Sequence, residues 1–211
     1  MSDTEWLALL KLSHESRRVV LEAGYRADSC ILSAKVVHEV LRVRGRRARP
    51  ITVRWVLMNT AYLDHLEEIA AADWSRELYP DAWSVGIGYG EDVERPGEPM
   101  GWAGHLAVLT DSGYLVDPAV DQGTRTTHGI VAEPMCLPLP DGLIPPEGLA
   151  VTLRQGWARL YRSPRAVPKR ARDWVDPAKY RELVDQVLAH EGLAHLMGEG
   201  PRPGPGAQPP G

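Results

Sequence analysis

The sequence is organised around one apolar stretch, Cys-Ile-Leu-Ser-Ala-Lys-Val-Val-His-Glu-Val-Leu-Arg-Val-Arg, at residues 30–44. Apolar residues recur in it at i, i+4, i+7 and i+11 and share one stripe, which consists of Cys30, Ala34, Val37 and Leu41. Asp28 or Ser29 can cap the first turn, and Gly45 can end the helix. We therefore predict a central, largely buried helix that begins at a cysteine.

Patterns on either side of this helix predict an α+β protein. An amphipathic pattern covers residues 4–24, a further helix is expected at 61–71, and Asp-Pro at 176–177 suits the start of a last helix. Strand patterns occur at 51–58, 83–89, 105–110, 114–117, 151–154 and 157–161. Glycines alternate with larger residues over 83–89, which predicts a close backbone approach there. Helices followed by an antiparallel sheet indicate the α+β class.

The bulk composition narrows the class of protein. A length of 211 residues suits one domain, which we place at residues 1–197, and the Pro/Gly-rich residues 198–211 are expected to be a disordered tail. A net charge of −4 offers no general attraction for nucleic acid. No secretory signal, no apolar run of about 20 residues and no disulfide framework is visible. We expect a cytoplasmic protein without membrane contact, and the oligomeric state stays open.

A histidine and an aspartate lie on the two strands of a predicted hairpin. His105 ends the stretch Gly-Trp-Ala-Gly-His, and Asp117 stands in Tyr-Leu-Val-Asp-Pro. If residues 111–113 form a three-residue loop, His105 and Asp117 share one face of the sheet; a two-residue loop would put them on opposite faces. Gly113 suits the left-handed position of the longer loop. If the helix stripe packs on the same face, the thiol of Cys30 can meet the His105 ring.

These three residue types are the groups of a thiolate nucleophile with its base and orienting acid. The first turn of a helix favours a thiolate, because unpaired N–H groups and the helix dipole stabilise negative charge. We therefore predict Cys30 as nucleophile, His105 as base and Asp117 as the acid that orients the histidine. The alternative is that Cys30 is an inert core residue and His105 a satisfied polar residue.

The ordered set of Cys30, His105 and Asp117, with its Trp-x-Gly-His and Leu-x-Asp-Pro motifs, resembles the transglutaminase-like superfamily of papain-type cysteine enzymes. That superfamily includes arylamine N-acetyltransferases and the leader peptidases of lasso-peptide synthesis. The resemblance runs from about residue 29 to residue 122. It implies a buried Cys-bearing helix packed on an antiparallel sheet. It also implies chemistry on a peptide, amide or acyl substrate through a thioester on Cys30, as in a peptidase, amidase or acyltransferase.

Two features depart from the relatives within that superfamily. No Gln or Asn precedes Cys30, so the oxyanion donor of papain-type peptidases is missing. The donor would have to be the backbone N–H of Cys30 or a side chain such as Tyr25. The Arg-Gly-Gly-x-Cys motif of arylamine acetyltransferases is also missing, because residues 26–30 are Arg-Ala-Asp-Ser-Cys. A catalytically inactive scaffold that binds a protein or ligand stays the alternative function.

Several other residues are candidates for binding. Trp102, Tyr114 and Gln122 are candidate substrate-binding residues, although core packing equally explains the two aromatic ones. The arginines of 42–49 are a possible contact for an anionic partner, although such a cluster is usually a solvated helix end, and the same holds for the basic stretch at 162–172.

The sequence indicates neither a metal nor an organic cofactor. His190 and His195 are five residues apart and cannot share one helix face as ligands. Cys136 lies in a proline-rich extended stretch, where a packing role is expected.

Overall fold

A computed structural model describes residues 3–25, 29–71, 79–89, 103–168, 177–190 and 193. The helices in these residues are α1 (Asp3–Glu22), α2 (Ser29–Val43), α3 (Thr60–Asp64), α4 (Leu66–Ala71) and α5 (Pro177–Leu188). The strands are β1 (Ala48–Met58), β2 (Ser84–Ile87), β3 (His105–Thr110), β4 (Tyr114–Asp117), β5 (Met135–Pro138), β6 (Leu149–Thr152) and β7 (Trp157–Arg162). The protein is therefore of the mixed α+β class, as the patterns predict. The Pro/Gly-rich residues 198–211 lie outside the described residues.

The strands form one curled, antiparallel sheet. Its order is β5-β4-β3-β1-β7-β6, and β2 pairs with the second half of β1, beyond the first residue of β3. β1 is the central strand, because it pairs with β3 on one side, with β7 on the other, and with β2 at its far end. Val53 of β1 stands opposite His105, at the point where β3 begins.

The two faces of the sheet carry separate cores. One core lies under α1, α2 and α5 and takes Leu106, Val108 and Val116 from the hairpin. The other core takes Ala107, Leu109 and Leu115 together with Val53 and Trp55 of β1. The split follows from the alternation of side chains along a strand, which sends even-numbered hairpin residues toward the helices and odd-numbered ones away from them. His105 and Asp117 are odd-numbered and so belong to the face away from the helices.

Three local predictions need correction. The helix expected at 61–71 is two short helices, α3 and α4, with a break at His65; Asn59 caps the first by accepting a hydrogen bond from the Tyr62 N–H at 3.0 Å. β1 starts at Ala48, before the predicted residue 51. The stretch around Cys136 is a strand, β5, which was not predicted because the stretch is rich in proline. β5 tolerates its terminal proline because it lies at the edge of the sheet.

None of the helices in the described part of the chain is long and apolar enough to cross a membrane. α2 is the most buried of them: ten of its residues, from Ser29 to Leu41, are buried. This agrees with the predicted central position of the Cys-bearing helix. α2 packs against α1 and against the start of the hairpin, so its N-terminal turn lies at the end of β3.

Candidate active site

The hairpin turn has the three-residue form on which the site depends. Val108 pairs with Val116 and Leu109 with Leu115, a register that leaves residues 111–113 as the loop. The Gly113 N–H donates to the Thr110 carbonyl at 3.0 Å, and Gly113 has a φ of +84°. That φ is left-handed and favours glycine. The prediction that His105 and Asp117 lie on one face is therefore confirmed.

The two side chains form a fully buried pair. His105 Nε2 donates to the Asp117 carboxylate, 2.9 Å from Oδ1 and 2.8 Å from Oδ2, and both residues have 0% of their surface exposed. The Trp55 Nε1–H donates to Oδ2 at 2.7 Å, and the Ala119 N–H donates to Oδ1 at 3.1 Å. Each carboxylate oxygen thus accepts hydrogen bonds from groups other than the histidine, which stabilise its negative charge.

Trp55 was not predicted as a site residue. It lies within the predicted strand at 51–58, and it is completely buried. A buried indole N–H needs an acceptor, so a tryptophan at the centre of an apolar strand was a signal that a polar group lies nearby. The acceptor of the Trp55 N–H could not be predicted, because it depends on the pairing of β1 with β3.

Cys30 lies in the first turn of α2, next to the start of β3. It is 6% exposed, and its Sγ is 4.0 Å from the carbonyl oxygen of Gly104, the residue before His105. His105 Nδ1 is buried and has no hydrogen-bond partner of normal geometry within the described residues. The Cys30 side chain nevertheless lies near enough to the ring to raise its pKa. The three predicted residues are thus neighbours in space.

The environment of His105 favours its charged form. Burial lowers the pKa of the ring, but the charge and hydrogen bond of Asp117 raise it, Cys30 adds a smaller increase, and the net result is a pKa of about 10 instead of 6.5. The ring is therefore easier to protonate than a free imidazole.

The Cys-bearing helix reaches the histidine by a route that differs from the expected one. The Cys30 stripe packs against Leu106 and Val108, on the face of the sheet opposite to His105. Contact is possible because Cys30 belongs to the first turn of α2 and His105 is the first residue of β3. The thiol therefore lies near His105 at the N-terminal end of β3, although its helix packs on the other face of the sheet. Gly88 packs at the same end, where a Cβ would lie 3.3 Å from the Cβ of His105 and 2.7 Å from the Val53 carbonyl oxygen.

Residues just after Asp117 hold the start of α2 and a part of α1. Gln122 Nε2 donates to Ser29 Oγ at 2.6 Å, so Gln122 lies next to Cys30 in space. Arg17 of α1 forms an ion pair with Asp121 at 2.9 Å. Burial raises the pKa of Asp121, and the hydrogen bond from Arg17 opposes that increase. Sequence reasoning missed the Arg17–Asp121 pair, since Arg17 lies on an ordinary amphipathic helix with no local signal.

The other candidates have different outcomes. Tyr114 is 2% exposed and packs in the core under the helices, on the face opposite to His105, which favours the packing explanation. Trp102 lies outside the described residues, as does Asp28. Cys136 is a free, buried thiol on β5, and burial raises its pKa to about 12.

The arginines of 42–49 are mostly at the surface, and two of them are paired. Arg42 contacts Glu39, and Arg46 contacts Glu5 of α1. Arg49 lines a cleft at the start of β1. The contact of these arginines with an anionic partner stays a prediction.

No group of three or more histidine, cysteine or acidic side chains within the described ranges has the geometry to hold a metal ion. Comparisons with protein families, with curated proteins and with solved structures found nothing that matches the chain.

Proposed function

We propose that this protein is a divergent transglutaminase-like enzyme that performs cysteine-dependent amide or acyl chemistry. The observation that carries the proposal is the buried His105–Asp117 pair, 2.8 Å apart, with Cys30 of the helix start beside the ring. A packing role alone gives no reason to bury a charged pair, because burying charges is unfavourable unless each is well paired.

The chemistry begins with attack by the sulfur. Cys30 as thiolate attacks the carbonyl carbon of an amide and forms an S–C bond, which moves an electron pair onto the carbonyl oxygen. When the tetrahedral intermediate collapses, the C–N bond breaks and the proton of His105 goes to the leaving amine. A thioester on Cys30 remains. The pKa of about 10 suits His105 for this first step, since the ring already holds the proton that the amine needs.

The second step regenerates the enzyme. Neutral His105 takes a proton from water or from an acceptor amine, whose oxygen or nitrogen attacks the thioester carbon. The C–S bond breaks and the thiolate returns. Water as acceptor gives a peptidase or amidase, and an amine gives an acyltransferase. Asp117 keeps its charge throughout and accepts a hydrogen bond from Nε2. This leaves Nδ1 as the ring nitrogen that exchanges the proton.

The oxyanion donor is assigned to the N-terminal turn of α2. The backbone N–H of Cys30 belongs to the first turn, where N–H groups have no partner within the helix. Gln122 supports that turn through Ser29 and acts as a positioning residue. Papain-type peptidases have a glutamine near the cysteine that precedes it in sequence. In this chain the glutamine near the cysteine follows it in sequence.

The competing function is an inactive scaffold that binds a protein or ligand. It is favoured by burial: His105 and Asp117 are not exposed, and Cys30 is 6% exposed. A substrate carbonyl must reach the sulfur, so an enzyme needs an opening at the end of β3 that a scaffold does not need.

Alkylation of Cys30 distinguishes the two functions. We would measure its rate with iodoacetamide by peptide mass spectrometry from pH 5 to 10 in the wild type, in His105→Ala and in His38→Ala. His38 is a matched control because it lies on the same helix without contacting the site. An enzyme predicts fast alkylation at pH 7 that falls about tenfold or more in His105→Ala alone, since the imidazolium stabilises the thiolate.

Equal rates in the wild type and in His105→Ala would contradict the enzymatic proposal and support the scaffold. If the rates differ, a screen of amide, thioester and peptide substrates follows, with Cys30→Ala as the inactive control. Thioester accumulation on Cys30 detected by intact mass identifies the acyl donor.

A further inference from the structure

A concave site lies on the sheet face away from the helices. It is a cleft of about 550 Å³ between the start of β1, the loop after β5 and the segment that follows β7. This volume falls in the range of small-molecule pockets. Its lining includes three arginines and three apolar residues: Arg49, Arg162, Arg165, Leu109, Leu139 and Ile144.

The charge of the cleft is opposite to that of the whole chain. The chain has a net charge of −4, whereas the described residues that line the cleft include three arginines and neither Asp nor Glu. Arg49 and Arg162 are exposed and form no ion pair within the described part of the chain. Asp141 lines the neighbouring hollow instead. Cations that line one cleft without an acidic partner among its described residues create a positive potential there, which favours an anion.

The cleft joins two basic stretches that are far apart in sequence. Arg49 ends the cluster at 42–49, and Arg162 begins the stretch at 162–172. Both line one cleft because β1 pairs with β7: Arg162 stands opposite Val53, which follows Arg49 by four residues on β1. Neither stretch alone has the form of a site, since each is an ordinary run of surface cations. The sheet pairing makes one positively charged site from them.

We propose that this cleft binds a small molecule with one carboxylate or phosphate group and a short apolar body. Arginine binds both anions with two parallel N–H donors, which suits either head group. The apolar floor formed by Leu109, Leu139 and Ile144 takes the body of the ligand. The arginines thus match the anionic group of an amphiphile, and the apolar lining residues match its hydrocarbon body.

The cleft is distinct from the candidate active site, although both lie on one sheet. Val53 is opposite His105 on one side and Arg162 on the other. Two strand spacings therefore separate His105 from Arg162, about 10 Å between backbones. Binding in the cleft requires no reaction at Cys30, so the proposal stands or falls independently of the enzymatic one.

Calorimetric titration of the full chain tests the proposal with octanoate, octyl phosphate, octanol and acetate as probes. We expect one site for octanoate or octyl phosphate, and at least tenfold weaker binding of octanol and acetate. The variant Arg49→Glu/Arg162→Glu should lose the site at least tenfold. Arg47→Glu should keep it, because Arg47 is an exposed member of the same stretch that does not line the cleft.

Three results would overturn the proposal. If octanol bound as tightly as octanoate, the charge of the ligand would have no role. Equal loss in Arg47→Glu would show a general charge effect instead of a site. Tighter binding of an acidic hexapeptide than of either amphiphile would assign the cleft to a protein partner. Ile144→Trp, which fills the floor, provides a variant without charge change and should weaken octanoate binding while leaving acetate unaffected.

Discussion

The two cysteines of this protein occupy regions that differ in polarity, although both are buried in the core under the helices. Cys136 lies on an edge strand, where burial and then the charge of Glu5 raise its pKa to about 12. Cys30 lies at a helix start, near a histidine whose pKa is raised to about 10. Both thiols are buried, so their environments differ in the charged neighbours: Glu5 acts on Cys136, whereas the His105–Asp117 pair lies near Cys30.

The surroundings of each cysteine differ in the same way. Near Cys136 two side chains donate to the backbone: the Trp6 indole N–H to the Cys136 carbonyl and the Ser13 hydroxyl to the Met135 carbonyl. Near Cys30, besides the contact of its sulfur with the Gly104 carbonyl, hydrogen bonds join side chains in the pairs His105–Asp117 and Gln122–Ser29. Contacts to the backbone secure a strand, whereas contacts between side chains fix the position of specific chemical groups.

The largest effect is expected when the charge of Asp117 is removed. Asp117→Asn leaves His105 buried beside a neutral group, and breaking a buried ion pair by removing one partner costs about 3–5 kcal/mol. We expect a loss of about this size in the free energy of unfolding, measured by urea denaturation. Without the carboxylate, burial lowers the pKa of the ring, so alkylation of Cys30 at pH 7 should also slow.

Asp111→Asn is the matched control, because it removes the same charge from the exposed turn of the same hairpin. It should stay within about 0.5 kcal/mol of the wild type. A loss below about 1 kcal/mol in Asp117→Asn would mean that the pair contributes little and that the Cys30 region resembles the Cys136 region more than we infer.

The next effect is the difference in reactivity between the two thiols. A thiol with a pKa of about 12 has a thiolate fraction of only about 10⁻⁵ at pH 7, so Cys136 should not react while the chain is folded. We expect Cys30 to react with iodoacetamide at least 100-fold faster than Cys136, as measured by peptide mass spectrometry. In urea the two should converge, since both environments are lost. Comparable rates in the folded chain would remove the distinction.

Sequence patterns predicted the local parts of the site better than its surroundings. The parity of the hairpin followed from the turn at 111–113, because Gly113 and strand alternation are local features. The surroundings of Cys30 were predicted less well, since α2 packs on the face of the sheet opposite to the expected one. That depends on the order of strands in the sheet, which no local pattern determines.

Two contacts of the site and one strand could not be predicted from the sequence, for the same reason. Trp55 and Arg17 contact Asp117 and Asp121 only through pairings between distant parts of the chain. The strand β5 was concealed because prolines argue against a strand unless it lies at an edge, and edge position is a property of the whole sheet. Gln122 was within reach of prediction because it closely follows Asp117 in sequence.

A smaller effect is expected from the indole that supports Asp117. Trp55→Phe keeps most of the apolar volume and removes the hydrogen bond to the carboxylate, which at 2.7 Å is of the charge-assisted kind. Such a bond contributes about 1.5–3 kcal/mol, and we expect a loss of about 2 kcal/mol in the free energy of unfolding. Trp157→Phe, at a position 36% exposed, is the control and should change little. Equal losses in both would show that ring volume, and not the hydrogen bond, accounts for the effect.

The smallest effect concerns the link between Gln122 and Ser29, which has no counterpart near Cys136. A neutral hydrogen bond contributes about 0.5–1.5 kcal/mol, so each of Gln122→Ala and Ser29→Ala alone should have a modest effect. The double-mutant cycle is more informative, because it isolates the coupling between the two side chains. We expect a coupling of about 1 kcal/mol in the free energy of unfolding and a joint slowing of Cys30 alkylation. Additive losses with unchanged alkylation would mean that Gln122 does not position the helix start, and the oxyanion donor would then rest on the Cys30 N–H alone.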